Sequence, residues 1–169
     1  MNSSQAFVTE SRRYLVEEYL PKIRRALDGL TPEDIWWRPN PASNSIGNLV
    51  LHLAGNARQW VVAGIGEQAD VRKRQEEFDQ AGGMTGPELV DHLQRTLEEV
   101  DRVLSDLPWE RLGEERVIQG FSVTVLQALY HVVEHFSMHV GQILYLSKLR
   151  SGRDLGFYRV QDGALKTNW

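Results

Sequence analysis

The sequence predicts an all-α protein built as a four-helix bundle. Four stretches repeat apolar residues at i, i+3, i+4 and i+7, most of them open on Ser or Thr, and glycine or proline ends them. No long alternation of apolar and polar residues competes with that pattern. At 169 residues the chain is expected to form one domain over 1–169, long enough to bury roughly two-thirds of its unfolded surface in a single core.

The elements follow in order. From about Ser4 to Asp28, residues Phe7, Tyr14, Leu15, Tyr19, Leu20, Ile23 and Leu27 define a first long helix with Gly29 as its stop. Pro21 lies inside that pattern and predicts a kink or a break, because it brings no amide hydrogen to the i−4 carbonyl. Thr31-Pro32-Glu33-Asp34 opens a short helical turn carrying Trp36 and Trp37, and Arg38-Pro39-Asn40-Pro41 ends it. Asn44-Ser45 caps the second long helix, Ile46 to about Val62, with Ile46, Leu49, Val50, Leu53, Ala57, Trp60 and Val61 on its buried face. Gly47 and Gly55 weaken that helix and predict close approach by a neighbouring group. Residues 64–83 form a charged, loop-like segment. Thr85-Gly86-Pro87-Glu88 is a capping box for the third long helix, striped by Leu89, Leu93, Leu97, Val100 and Leu104 and running to Leu107 before Pro108. His92 lies off that stripe, at the surface. Val117 to Phe121 reads as a short extended piece over the core. Thr124 starts the fourth long helix, which runs to about Arg150 before Gly152, roughly 40 Å at about 1.5 Å per residue. The aromatic tail from Leu155 to Trp169 is expected to dock.

Composition limits the function. The net charge is −4 with both signs interspersed, which leaves no basic footprint for nucleic acid. The chain has no cysteine, which excludes disulfides, thiolate ligands and a cysteine nucleophile, and leaves His and carboxylate as the strong metal ligands. The first residues form neither a basic nor an apolar leader, and no run reaches the length of a membrane span, so a soluble cytoplasmic protein is expected.

Three of five histidines, His131, His135 and His139, recur at i, i+4 and i+8 on the fourth helix. Counting about 100° per residue, His139 lies about 30° from the centre of the apolar face, His135 about 70° and His131 about 110°. His135 and His139 therefore form the inward pair, and His131 suits a rim position that orients a ligand or meets substrate. His52 lies on the flank of the second helix with Asn48, Asn56 and Gln59, a polar groove along a buried helix. His52, His135 and His139 together offer three nitrogens with open positions left over, the count of a catalytic metal site. Arg72 and Arg74, in the charged segment, are placed to meet an anionic ligand at the mouth.

Other readings of the same residues stand beside this one. The histidines can simply be hydrogen-bonded within a bundle core. His131-Val132-Val133-Glu134-His135 matches the H-x-x-E-H string of metallopeptidases far larger than this chain. A di-iron bundle would need Glu three residues before His, and no such pair occurs. A haem bundle has no C-x-x-C-H attachment to support it.

Asn44-Ser45-Ile46-Gly47-Asn48-Leu49-Val50-Leu51-His52-Leu53-Ala54-Gly55-Asn56, taken with His135-Phe136-Ser137-Met138-His139-Val140-Gly141-Gln142-Ile143, resembles the DinB-like superfamily of bacterial proteins. The resemblance spans nearly the whole chain. It implies an up-down-down-up four-helix bundle, one divalent ion on His52, His135 and His139, and frequent homodimers. The implied ion is nickel or zinc, with iron and manganese as further candidates. It also implies that relatives include metal-dependent transferases and isomerases using a low-molecular-weight thiol such as mycothiol, bacillithiol or glutathione. Val140 stands where an Arg commonly precedes Gly-Gln in that superfamily. The expected function is a mononuclear metalloprotein, acting as a thiol S-transferase or related transferase or hydrolase on small molecules. Its alternative is a non-catalytic stress-response or binding module with a structural metal.

Overall fold

The computed structural model describes residues 2–168. It is mostly helical, and four long helices supply the core. Helix α1 spans residues 3–27 as α-helical Ser3–Arg13, π-helical Tyr14–Tyr19 and α-helical Leu20–Leu27. The expected kink at Pro21 takes the form of this π-helical stretch. Pro21 falls in the first turn of the last segment, where the wider preceding turn accommodates its missing donor. Short helix α2, Pro32–Trp36, opens on a Thr31/Asp34 capping box. Helix α3 spans residues 46–65, α-helical over Ile46–Ala57 and π-helical over Arg58–Ile65, three residues longer than its pattern suggests. Helix α5 is Gly86–Ser105, which stops short of the expected Leu107. Helix α6, Val125–Ser151, starts on a Thr124/Gln127 capping box and ends on Gly152 in the left-handed region at φ 65°.

Helices α1 and α3 each pack against both α5 and α6. Between them lie fully buried Leu15, Ile23, Leu53, Leu89, Leu93 and Leu97, whose periodicity marked the first three long helices, with Leu129 and Phe136 from the fourth. Burying such side chains stabilises by about 1.5–3 kcal/mol each before chain entropy is counted.

Two departures from the all-α expectation are small hairpins. Strand β1, Glu115–Ile118, pairs antiparallel with β2, Phe121–Thr124, across Gln119 and Gly120, both at positive φ. Strand β3, Tyr158–Gln161, pairs with β4, Ala164–Thr167. The tail docks through the chain on either side of this hairpin: Leu155 is buried, Phe157 packs on the core, and Arg25 donates to the carbonyls of Gly156 and Asn168. The strands themselves are exposed, and Trp169 lies outside the described residues.

The charged segment is the other departure. It contains helix α4, Arg74–Asp79, which packs on α3. Asn48 pins it there, its Nδ2 donating to the carbonyls of Glu77 at 2.9 Å and Gln80 at 2.7 Å. The two glycines of α3 receive close neighbours: a β-carbon on Gly47 would lie 2.7 Å from the Trp36 ring, and one on Gly55 would lie 2.0 Å from the Glu77 carboxylate. Among the described residues, no helix is long and apolar enough to cross a membrane.

Candidate metal centre

His52 from α3 and His135 and His139 from α6 converge. His135 Nε2 lies 3.1 Å from His52 Nε2 and 3.2 Å from His139 Nε2. His52 and His135 are buried, His139 is half-buried, and ligand atoms of all three lie within 4.8 Å of one another. Metal–nitrogen bonds of about 2.0–2.1 Å place two nitrogens about 3.3–3.4 Å apart in a tetrahedral site and about 2.9 Å apart at right angles in an octahedral one. The two separations to His135 fall between these, and the group could hold a metal ion.

Hydrogen bonding on the far side of two rings sets their tautomers. His52 Nδ1 lies 2.9 Å from Glu77 Oε2, and His139 Nδ1 lies 2.7 Å from Gln142 Oε1. Arg72 Nη2 also lies 3.1 Å from His52 Nδ1, but it is bonded at 2.8 Å to the same Glu77 oxygen, and the shorter contact of Nδ1 is to that carboxylate. With both partners accepting, both Nδ1 atoms carry hydrogen and both Nε2 lone pairs point toward His135. His135 Nδ1 is buried without a partner whichever ring nitrogen carries the hydrogen, so His135 alone of the three has no group behind it to set its tautomer. With hydrogen on His135 Nδ1, three lone pairs meet, and a divalent cation is what accepts all three at once.

Electrostatics keep the His135, His139 and His131 rings neutral. Burial, then the neighbouring His139 and His52, push the His135 pKa down to about 3. Burial likewise lowers His139, against the hydrogen bond that it donates to Gln142, and lowers His131. Neutral imidazole is the form that binds metal. Glu77 is opposed by burial, but hydrogen bonds from Arg72 and His52 outweigh it and hold the carboxylate below its usual range.

Residues 13–150 fit the model of the mycothiol-S-transferase family. The chain belongs to that family. Its fold is that of DinB-like proteins: it is similar to a DinB-like protein from Bacillus cereus ATCC 10987, with 17% identity and a TM-score of 0.67 over 88% of this chain and 93% of that one. A conserved protein from Enterococcus faecalis gives 18% identity and a TM-score of 0.69 over 90% of this chain and 99% of that one. Comparison with curated proteins gives no match. Mycothiol-S-transferase membership adds a thiol-handling, transferase-like context to a three-histidine group that could hold a metal.

The other residues singled out from the sequence of this mycothiol-S-transferase homologue are held as follows. Asn48 is fully buried, its Oδ1 accepting from Ser45 N and Oγ and its Nδ2 bracing the 77–80 carbonyls. Gln59 braces too, donating to Asp70 at 2.7 Å and accepting from Arg72 at 2.9 Å. Asn56 donates to His131 Nε2 at 3.3 Å, and the His131 ring lies 4.3 Å from Trp60 and 5.4 Å from His135. Asn56 Oδ1 and Trp60 Nε1 are buried without a partner. The Arg72 side chain, 4% exposed, is committed to Glu77 through bonds of 2.7 and 2.8 Å, and with Glu77 and Gly55 it lines a cavity of about 320 Å³. Arg74 is exposed and lies 4.8 Å over the Phe78 ring. Val140 is buried in the core.

Sequence reasoning missed Glu77 and Gln142. Gln142 follows His139 by three residues and so shares its helix face, a signal that was available. Glu77 gave none, since a carboxylate within a charge run reads as solvated. A cavity of about 310 Å³ lined by Pro39, Ser43, Asn44, Gln142 and Tyr145 adjoins the Gln142 side of the centre. Larger cavities of about 790 and 610 Å³ lie between α1 and α5 and include none of these site residues.

Proposed function

We propose that this is a single-domain, cytoplasmic, metal-dependent thiol S-transferase on an up-down-down-up four-helix bundle, with one nickel or zinc ion on His52, His135 and His139. The observation that carries the reading is the convergence of three Nε2 atoms, two of them on rings held from behind by Glu77 and Gln142. The ion would supply Lewis acidity, lowering the pKa of a thiol in an open position so that it acts as a nucleophile at neutral pH. The chain has no cysteine, so that thiol is exogenous. Glu77 and Gln142 orient two of the rings, and Asn48, Gln59 and Arg72 brace the segment that carries Glu77. His131 and Asn56 are the groups beside the centre that remain to meet substrate, with Arg74 exposed at the rim. The cavity beside Gln142 is the approach for a small molecule.

A second copy is proposed to cover the outer face of α6, where Leu126, Tyr130, Met138, Tyr145 and Leu149 are exposed. A β-carbon on Gly141 would meet nothing within 4 Å, so the chain itself gives no reason for glycine inside this helix. In an antiparallel crossing at Gly141, positions equally far on either side face one another, which sets Glu134 against Lys148.

Elemental analysis of untagged protein, alongside His52→Ala and His139→Ala, tests the centre. Near-stoichiometric nickel or zinc, lost in both variants, is expected, followed by turnover of a small thiol with an electrophile. Wild-type protein that takes up neither metal refutes the reading.

A further inference from the structure

The three rings are not supported alike. His139 is backed by a neutral amide, His135 Nδ1 has no partner, and His52 alone is backed by a carboxylate. That carboxylate is itself held: Arg72 Nε and Nη2 form a fork on its two oxygens at 2.7 and 2.8 Å, with the two side chains 4% and 11% exposed. A fork of this kind fixes a carboxylate in direction as well as in place.

We propose that Glu77 is a positioning residue of the metal centre, clamped by Arg72 and seated on Gly55, which holds His52 with hydrogen on Nδ1 and the Nε2 lone pair aimed at His135 and His139. The inference rests on the three-histidine reading above. Gly55 is the opening that makes it possible. A β-carbon there would stand 2.0 Å from Glu77 Oε1, 2.8 Å from its carboxyl carbon and 2.9 Å from Arg72 Nε, so any other residue evicts the pair from the helix surface. Glycine inside a helix costs propensity, and this position gives that cost a purpose. Carboxylates behind ligating histidines raise ligand basicity and typically change metal affinity 10- to 100-fold.

The test compares full-length wild type, Glu77→Gln, Gly55→Ala and the neighbouring exposed control Glu76→Gln. Zinc affinity is measured by competition with a chromophoric chelator, and the imidazole tautomers by ¹⁵N NMR of the metal-free protein. Wild type is expected to bind zinc with His52 protonated on Nδ1. Glu77→Gln and Gly55→Ala are expected to bind it about 10- to 100-fold more weakly, with a mixed His52 tautomer, and Glu76→Gln to match wild type. A wild-type His52 carrying its hydrogen on Nε2 overturns the proposal with no variant needed, and so does an unchanged affinity in Glu77→Gln. Failure of wild type to bind zinc is a different result, which removes the three-histidine reading itself.

Discussion

Lowering the pH from 7 to 5 should weaken the metal-free protein by an amount that His135 sets. The ring is 8% exposed, and burial with the neighbouring His139 and His52 brings its pKa to about 3 from an ordinary 6.5. At pH 5 the unfolded chain therefore binds a proton that the folded chain refuses. The sign follows: with the folded value depressed, the contribution is whole above about pH 6.5 and is lost progressively toward about pH 3. At pH 5 the gap is about 1.5 units, which at about 1.4 kcal/mol per unit is about 2 kcal/mol. Urea unfolding of metal-free wild type and His135→Leu at both pH values measures it. Wild type should lose about 2 kcal/mol more than the variant on acidification. The slope that remains in the variant belongs to His131, His139 and His92, all lowered chiefly by burial. Equal losses in the two proteins would refute the reasoning.

Two further predictions concern packing and assembly. Gly47→Ala sets a β-carbon 2.7 Å from the Trp36 ring and should cost about 1–3 kcal/mol by overpacking; urea midpoints that coincide with wild type would show that Trp36 moves away freely. In light scattering across concentration, Glu134→Lys should split the proposed dimer and Glu134→Lys with Lys148→Glu should restore it, whereas a wild-type monomer at high concentration removes the α6 interface.

Helix ends were the most legible part of the fold, because caps and stops act locally. Thr124 and Gly152 bracket α6 to within a residue of its pattern, and Thr85 opens α5 as its capping box requires. The π-helical stretches at Tyr14–Tyr19 and Arg58–Ile65 left no trace, since a slightly wider turn barely disturbs a broad apolar stripe. The His52, His135 and His139 grouping was legible because imidazoles at helical spacing on an apolar face demand partners. Roles for Asn48, Gln59 and Arg72 were harder to read. Position in the chain marks such residues as polar and inward, but whether they brace the backbone or meet a ligand depends on what the chain folds back against them, from 5 residues away for Arg72 and 11 for Gln59 to 29 for Asn48. Glu77, folded back onto His52 by Asn48, shows that limit most clearly.

The Arg72–Glu77 pair also fixes the charge balance of the centre. Histidines ligate a metal as neutral imidazoles and so add no charge, and the carboxylate behind His52 is already matched by a guanidinium. A divalent ion held there would keep both positive charges in a partly closed, low-dielectric setting, although the chain as a whole carries −4. Whatever completes its coordination is therefore favoured as an anion: thiolate over thiol, hydroxide over water, with chloride and azide as competitors and a neutral alcohol at a disadvantage.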